Sequence, residues 1–385
     1  MQRITNGRLL TMEGQVFENG FIDFEDGKIL AVGDMSAMPA AACETFDAAG
    51  GWILPGFVDA HAHIGIAEES VRWEGEDCNE ITDPITPHMR TIDGVYPHDI
   101  AFRKAINGGV TSAIVGPGSA NVIGGQMAAL KMYGDRVDDM IIKAPCVMKM
   151  AMGENPKNCY GQHQSRTPQT RMATAALMRE AFIKTREYMA KKEQLDDKGN
   201  PKEVPFDAKL EALIPVMKRE MMVHVHVHRS DDILTAIRIM TEFGLWYTTV
   251  HTTDGKAVVP YLQEAGIMPI TGPFGTSSKP ETDHLGFDTP GVLNKAGMEV
   301  CITMDHPVNP LQYLSSHAAL AVREGMDEDA ALRAITINAA KVSCIDDRVG
   351  SLKVGKDADI CVYSGHPFEF RTQLNAVWVS GQKVR

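Results

Sequence analysis

The chain has 385 residues, more than one small domain needs, and its 44% hydrophobic and 23% charged residues provide for a substantial core and exclude gross disorder. Thirty-eight basic against 50 acidic residues leave a net charge of −12, which argues against nucleic acid or another polyanion as partner. No apolar run approaches the ~20 residues that span a bilayer, MQRITNGRLL lacks an apolar core of leader length, and seven scattered cysteines form no CxxC pair, so a cytoplasmic protein without a membrane partner is expected.

In chain order, short strands are predicted at 8–11, 16–18, 21–24 and 29–32, with Asn19-Gly20 and Asp26-Gly27 as hairpin turns. The far end repeats the pattern, with strands at 359–363 and 376–379 and a turn at Ser380-Gly381. Both ends are therefore expected to pair into one small β domain (1–52 and 348–385) beside a βα domain spanning 53–347. Within the latter, apolar runs at 52–58, 110–115, 128–132, 146–152, 222–227, 246–250, 267–270 and 299–304 alternate with helical or glycine-rich stretches. Eight such runs are the pattern of a parallel α/β barrel. An insertion at 155–220 breaks the rhythm with a long helix from about Gln169 to Lys192, opened by Thr167 and Pro168.

A barrel carries its chemistry where its strands end. The first predicted strand ends in Asp59-Ala60-His61-Ala62-His63; residues two apart on a strand share a side, so both imidazoles aim at one point. The fifth holds His224, His226 and His228 on one face, which is costly unless they are hydrogen-bonded or ligating. Ser230 or Asp231 is expected to cap the helix that follows. The sixth ends at His251 and the eighth at Asp305-His306-Pro307. Imidazole and carboxylate at four strand ends make one constellation of the kind that a borderline-soft divalent cation takes.

Ile53-Leu-Pro-Gly-Phe-Val-Asp-Ala-His-Ala-His63 and Gly350-Ser-Leu-Lys-Val-Gly-Lys-Asp-Ala-Asp359 resemble the amidohydrolase superfamily, in its imidazolonepropionase-related and dipeptidase-like branch. The resemblance runs over essentially the whole chain. It implies a distorted (β/α)8 TIM-like barrel, a β-sandwich built from both termini, and one or two divalent cations, zinc being the expected ion. Position by position, His61 and His63 match the first-strand metal ligands, His226 the fifth, His251 the sixth, and Asp305 the eighth-strand catalytic aspartate. Many members bridge two metals with a carboxylated strand-four lysine. Here Lys149 stands mid-strand, while Glu154 lies at the strand end and needs no modification, which favours Glu154 as the bridge.

The implied reaction is hydrolysis of a C–N bond in a small amide, cyclic amide or dipeptide-like compound. A divalent cation lowers the pKa of its bound water from about 15.7 toward 7, giving hydroxide at neutral pH. Asp305 is expected to take a proton during attack and return it to the leaving nitrogen. The alternative is a mononuclear deaminase or an imidazolonepropionase-type hydrolase of cyclic amides. His226-Val-His-Arg229 has no carboxylate where those enzymes place one, which weighs against them. A dead scaffold would have shed ligands that this chain keeps.

Weaker candidates surround the same rim: the 117–125 segment as a plain loop or a carboxylate cradle, Ser277, Ser278 and Lys279 as substrate contacts or a surface turn, and Arg72, His228 and His306. A homo-oligomer is compatible with all of this, symmetric dimers being the commonest assembly.

Overall fold

The computed structural model describes residues 1–197, 199–275 and 279–385. The two chain ends build one eight-stranded sheet. Its path runs Gln382–Lys383, Leu374–Val379, Ile360–Tyr363, Trp52–Pro55, Gln2–Leu10, Val16–Glu25, Lys28–Asp34, with Glu44–Asp47 pairing parallel to the first strand of the chain. Ile4, Leu9, Ile22, Phe24, Ile53 and Trp378 fill a core beneath it. The turns at Asp26-Gly27 (φ 50° and 78°) and Ser380-Gly381 (φ 47° and 75°) have the two positive φ values of a tight hairpin. The turn expected at Asn19-Gly20 is absent: Val16–Glu25 is one strand, and Gly20 faces Gly7 across a register shift. There the glycine serves close strand approach, since a Cβ on it would lie 2.7 Å from the Cβ of Leu9.

The remaining strands form three pieces among the described residues. Phe57–Ala62 pairs parallel with Val110–Val115. Val147–Ala151, Met222–Val227 and Tyr247–His251 run parallel side by side, and Ile270–Thr271 pairs parallel with Cys301–Ile302. The single strand predicted over 52–58 is two. Trp52–Pro55 belongs to the terminal sheet and Phe57–Ala62 to the parallel set, with Gly56 between them packed so closely on Thr111 that no Cβ fits. The third predicted strand is corrected: Ala128–Lys131 runs antiparallel to Val110–Val115, and an unpredicted partner, Ile123–Gln126, runs antiparallel to Val147–Ala151. Residues 116–127, which join Val110–Val115 to Ala128–Lys131, carry the strand Ile123–Gln126 and no helix, so the chain returns without the helical crossover of a βαβ unit.

Helices cover the strands as their apolar spacing dictates. Ser230–Glu242 buries Ile233, Ala236, Ile239 and Met240 along one face and ends before Gly244, whose φ is 64°. Its cap is supplied in trans: the Asp254 carboxylate accepts from the Ser230 amide at 2.9 Å, where Ser230 or Asp231 had been expected to serve. The insertion helix is Arg171–Lys192, and its cap is Thr170 rather than Thr167, because Thr170 has extended backbone and its hydroxyl reaches the Ala173 amide at 3.0 Å. Arg171 fastens this helix to Ser230–Glu242 through both oxygens of Asp232, at 3.0 and 2.9 Å. No helix of the described residues is long and apolar enough to cross a membrane.

A buried ion network joins the terminal sheet to the strand Ala128–Lys131. Asp357, from the Gly350–Asp359 motif, accepts two hydrogen bonds from Arg348 (2.9 and 2.8 Å), one from Lys28 (2.7 Å), and lies 2.9 Å from Lys131. Lys131 also meets Asp359 at 2.6 Å. The two carboxylates are 2% and 3% exposed, and the cations that meet them offset the cost of burying charge.

Candidate metal centre

The strand ends bring most of the expected residues together. Parallel pairing sets Ala151 beside His226 and Val227 beside His251, so three strands finish at one level. The ring nitrogens of His61 and His251 and a carboxylate oxygen of Asp305 all lie within 4.8 Å of one another, and so do those of His226, His228 and His251. His251 belongs to both groups. His63 Nε2 stands 3.1 Å from Asp305 Oδ1, and His61 Nε2 stands 3.5 Å from the same atom.

Outer hydrogen bonds decide what these rings offer. His63 Nδ1 meets the carbonyl of Gly116 at 2.6 Å, and His251 Nδ1 meets the carbonyl of Gly272 at 2.8 Å. A carbonyl only accepts, so both Nδ1 atoms carry hydrogen and both Nε2 lone pairs face inward. His226 and His228 are backed by the hydroxyls of Ser119 (2.8 Å) and Thr253 (2.7 Å). His251 Nε2 and Asp305 Oδ1 are buried and have no hydrogen-bond partner among the described residues. Inward-facing acceptors on imidazole and carboxylate within a few ångströms repel one another unless a proton or a cation lies between them, so this donor set fits divalent ions.

The titration directions agree. Burial drives His61, His226 and His228 well below the ordinary imidazole value, and takes His251 to about 4. Burial would lower His63 too, but Cys78 and Asp305 beside it lift it to about 10, the response of a ring that holds a proton where a cation could stand. Burial alone would raise Asp305; His251, His63 and Lys149 outweigh it and hold the carboxylate well below its usual range.

The two bridge candidates are placed differently. Lys149, wholly buried, places Nζ 2.9 Å from His61 Nε2, and burial takes its pKa down to about 8. Glu154 lies elsewhere: it opens a short helix at the chain turn after the strand, its amide donates to Glu281 at 2.9 Å, and its carboxylate joins neither ligand group. Of the two candidates, Lys149 lies against an expected ligand and Glu154 does not. Strand length is the reason, because Val147–Ala151 ends three residues before Glu154.

Other expectations sort by position. His224 shares the face of His226 but sits deeper, bonded to the Val342 carbonyl at 2.9 Å. Arg72 is exposed and does not line the cavity at this centre, and His306 supplies only its carbonyl, to the His63 amide at 2.8 Å. Ser277 and Ser278 lie outside the described residues. Within 117–125, Gly118 and Ser119 line the cavity and 123–126 is strand, so the segment is not a plain loop.

Two residues that sequence reading passed over organise the rest. Asp59, fully buried with its pKa raised to about 7 by burial, accepts from the His61 amide (2.9 Å), the Thr303 hydroxyl (2.5 Å) and the Met304 amide (2.8 Å). It thereby ties the end of the first parallel strand to the turn that bears Asp305. Its place two residues before His61 in the motif was the available signal. Cys78 lies on the cavity wall beside His63, and nothing local in the sequence points to it.

The backbone is bent at two of the converging residues. His251 and Asp305 have φ of 71° and 52°, a region that costs a non-glycine residue of order 1–3 kcal/mol. The cavity at this centre has a volume of about 230 Å3; surface hollows of about 820, 720 and 770 Å3 lie away from these imidazoles.

The chain is similar to several known proteins. A family model described as "Amidohydrolase family" matches residues 276–385. A solved amidohydrolase from Thermotoga maritima MSB8 is 39% identical, covers 100% of both chains and superposes with a TM-score of 0.95. Amidohydrolase tasK from Hapsidospora irregularis is 29% identical over 94% of this chain, which spans only 39% of that longer protein. Imidazolonepropionase from Maricaulis maris is 25% identical over 94% of this chain and 92% of its own. The chain belongs to the amidohydrolase family, metal-dependent enzymes that hydrolyse carbon–nitrogen bonds.

Proposed function

We propose that this protein hydrolyses the C–N bond of a small amide, cyclic amide or dipeptide-like compound with a pair of divalent cations, zinc being the first choice. What carries the reading is the convergence of His61, His251 and Asp305 with His226 and His228 at the strand ends, His251 being common to both groups. His61, His63 and Asp305 would hold one cation and His226 and His251 the other. Lys149, carboxylated by CO2 once its amine is neutral, would lie between them. When bound, such a pair acidifies water and draws charge from a carbonyl oxygen. Asp305 takes the proton released during attack and delivers it to the departing nitrogen. His228, 95% or more buried beside that centre and held by Thr253, faces the substrate carbonyl.

The fold belongs to the same proposal. The three parallel pieces are arcs of a (β/α)8 barrel spanning about 53–347, and the terminal sheet forms the second domain from 1–52 and 348–385. All seven cysteines are free thiols, as suits a reducing compartment such as the cytoplasm.

Metal analysis tests the centre. Protein purified after metal-replete expression should hold near two equivalents; one equivalent would favour a mononuclear deaminase, and none would leave only a scaffold. Lys149→Met should lower the count by at least one while Glu154→Gln leaves it at two. Equal counts in wild type and Lys149→Met would remove Lys149 from the centre. Chelation should also lower the melting temperature, since ions that bind only the folded chain at ~1,000 times their Kd contribute about 4 kcal/mol. An unchanged melting curve after chelation would contradict a structural share for the metals.

The similarity to imidazolonepropionase supports including cyclic amides beside N-acyl amino acids and dipeptides in the substrate screen.

A further inference from the structure

The cavity above the centre contains one cation that the hydrolytic mechanism does not use. Lys279 lines it together with Asn155, and the Lys279 ammonium donates to the Asn155 amide oxygen. Lys279 forms no ion pair among the described residues, although the chain carries 50 acidic side chains. The nearby buried carboxylate, Glu281, is turned to other partners: one oxygen accepts from the Glu154 amide at 2.9 Å and the other stands 3.9 Å from His228 Nε2. Asn155 in turn donates its amide to His226 Nε2 at 3.3 Å. Among the described residues of the 155–220 insertion, it alone lines the cavity.

We propose that Lys279 and Asn155 form an anion subsite, so that the substrate carries a carboxylate beside the bond to be cleaved. This rests on the hydrolase reading above. Once the His226 lone pair is committed to a cation, the Asn155 amide is free to donate elsewhere. An ammonium and a carboxamide N–H then face the cavity side by side, a donor pair suited to the two oxygens of a carboxylate. Asp305 is the one carboxylate among the described lining residues, and bound metal would add positive charge beside Lys279, so the site draws anions although the whole molecule is acidic. The volume of about 230 Å3 falls below the ~300–1,000 Å3 common for ligand sites, which limits the substrate to a small molecule such as an N-acyl amino acid or a short dipeptide.

The bland alternative is that Lys279 only holds Asn155 against His226. Calorimetric binding to the metal-loaded enzyme separates the two, with a panel of N-acetyl amino acids and their uncharged C-terminal amides as probes. Wild type should bind the acids about 10–100-fold more tightly than the amides, the range of a charge-assisted hydrogen bond, and less so as salt is added. Lys279→Met should bring acid and amide to within about threefold of each other at unchanged metal content, and Lys279→Arg should restore part of the gap. Equal binding of acid and amide by wild type, binding of neither, a gap that survives in Lys279→Met, or a loss of metal in that variant would each overturn the subsite. Failure to hydrolyse any compound, with the acid–amide gap intact, would instead sink the hydrolase reading and leave the anion subsite standing.

Discussion

Asp305→Asn is expected to keep its metal and lose about 10²–10⁴-fold in turnover, the usual share of a general acid–base group. The substitution preserves shape and leaves an oxygen to face the centre, but an amide cannot take a proton from attacking water and return it to nitrogen. Geometry favours Asp305 over every other carboxylate here: its Oδ1 lies within 3.5 Å of two imidazoles, and its neighbours hold it in the charged, proton-accepting form. Its backbone is strained, at φ 52°, and fixed by Thr303, whose hydroxyl accepts from the Asp305 amide at 3.2 Å. Steady-state kinetics beside metal analysis would check this. A variant within about tenfold of wild type, its metal intact, would remove Asp305 from proton transfer.

Asp357→Asn should cost about 3 kcal/mol of stability without touching the centre, because removing one partner of a buried ion network strands the others. Arg348 and Lys28 are 39% and 44% exposed and can turn to water. Lys131, 5% exposed, cannot, and would rely on Asp359 alone. For a chain of this size the loss corresponds to a melting temperature lower by about 4 °C.

The pH dependence follows from the direction of the shift. Burial alone would raise the Asp357 pKa, but Arg348, Lys131 and Lys28 hold it well below the ordinary value. A carboxylate depressed on folding contributes its full stability above the unfolded value near 3.9, and that share fades as pH falls through the lower folded value. The gap between wild type and variant should thus stay constant from about pH 8 to 5 and narrow below about 4. Identical melting curves at pH 7 would show that the network stabilises nothing.

Much of the centre was legible because the signal is local. Alternation along an extended strand puts His61 with His63, and His226 with His228, on one side whatever the rest of the chain does. The same alternation includes His224, and nothing local says how deep each ring sits; inter-strand register places His224 at the Val342 carbonyl and its two neighbours at the rim. The hairpin at Asp26-Gly27 was readable for the same reason, its geometry being a property of two residues.

What the tertiary structure alone decided are relations between residues distant in sequence. Lys149 meets His61 across 88 positions because parallel neighbours set its height, whereas Glu154, the candidate that chemistry favours, falls beyond the last residue of its strand. Residues 128–132 read as one more buried parallel strand, since apolar content does not encode direction; the helix-free return through 116–127 sets Ala128–Lys131 antiparallel instead. Asp59 holding Met304, and Lys279 meeting Asn155, are likewise products of packing. Side-chain type and period are written in the sequence, and they settle which groups face inward; which groups then share one point depends on register, strand length and chain direction, and those are settled only when the whole sheet is assembled.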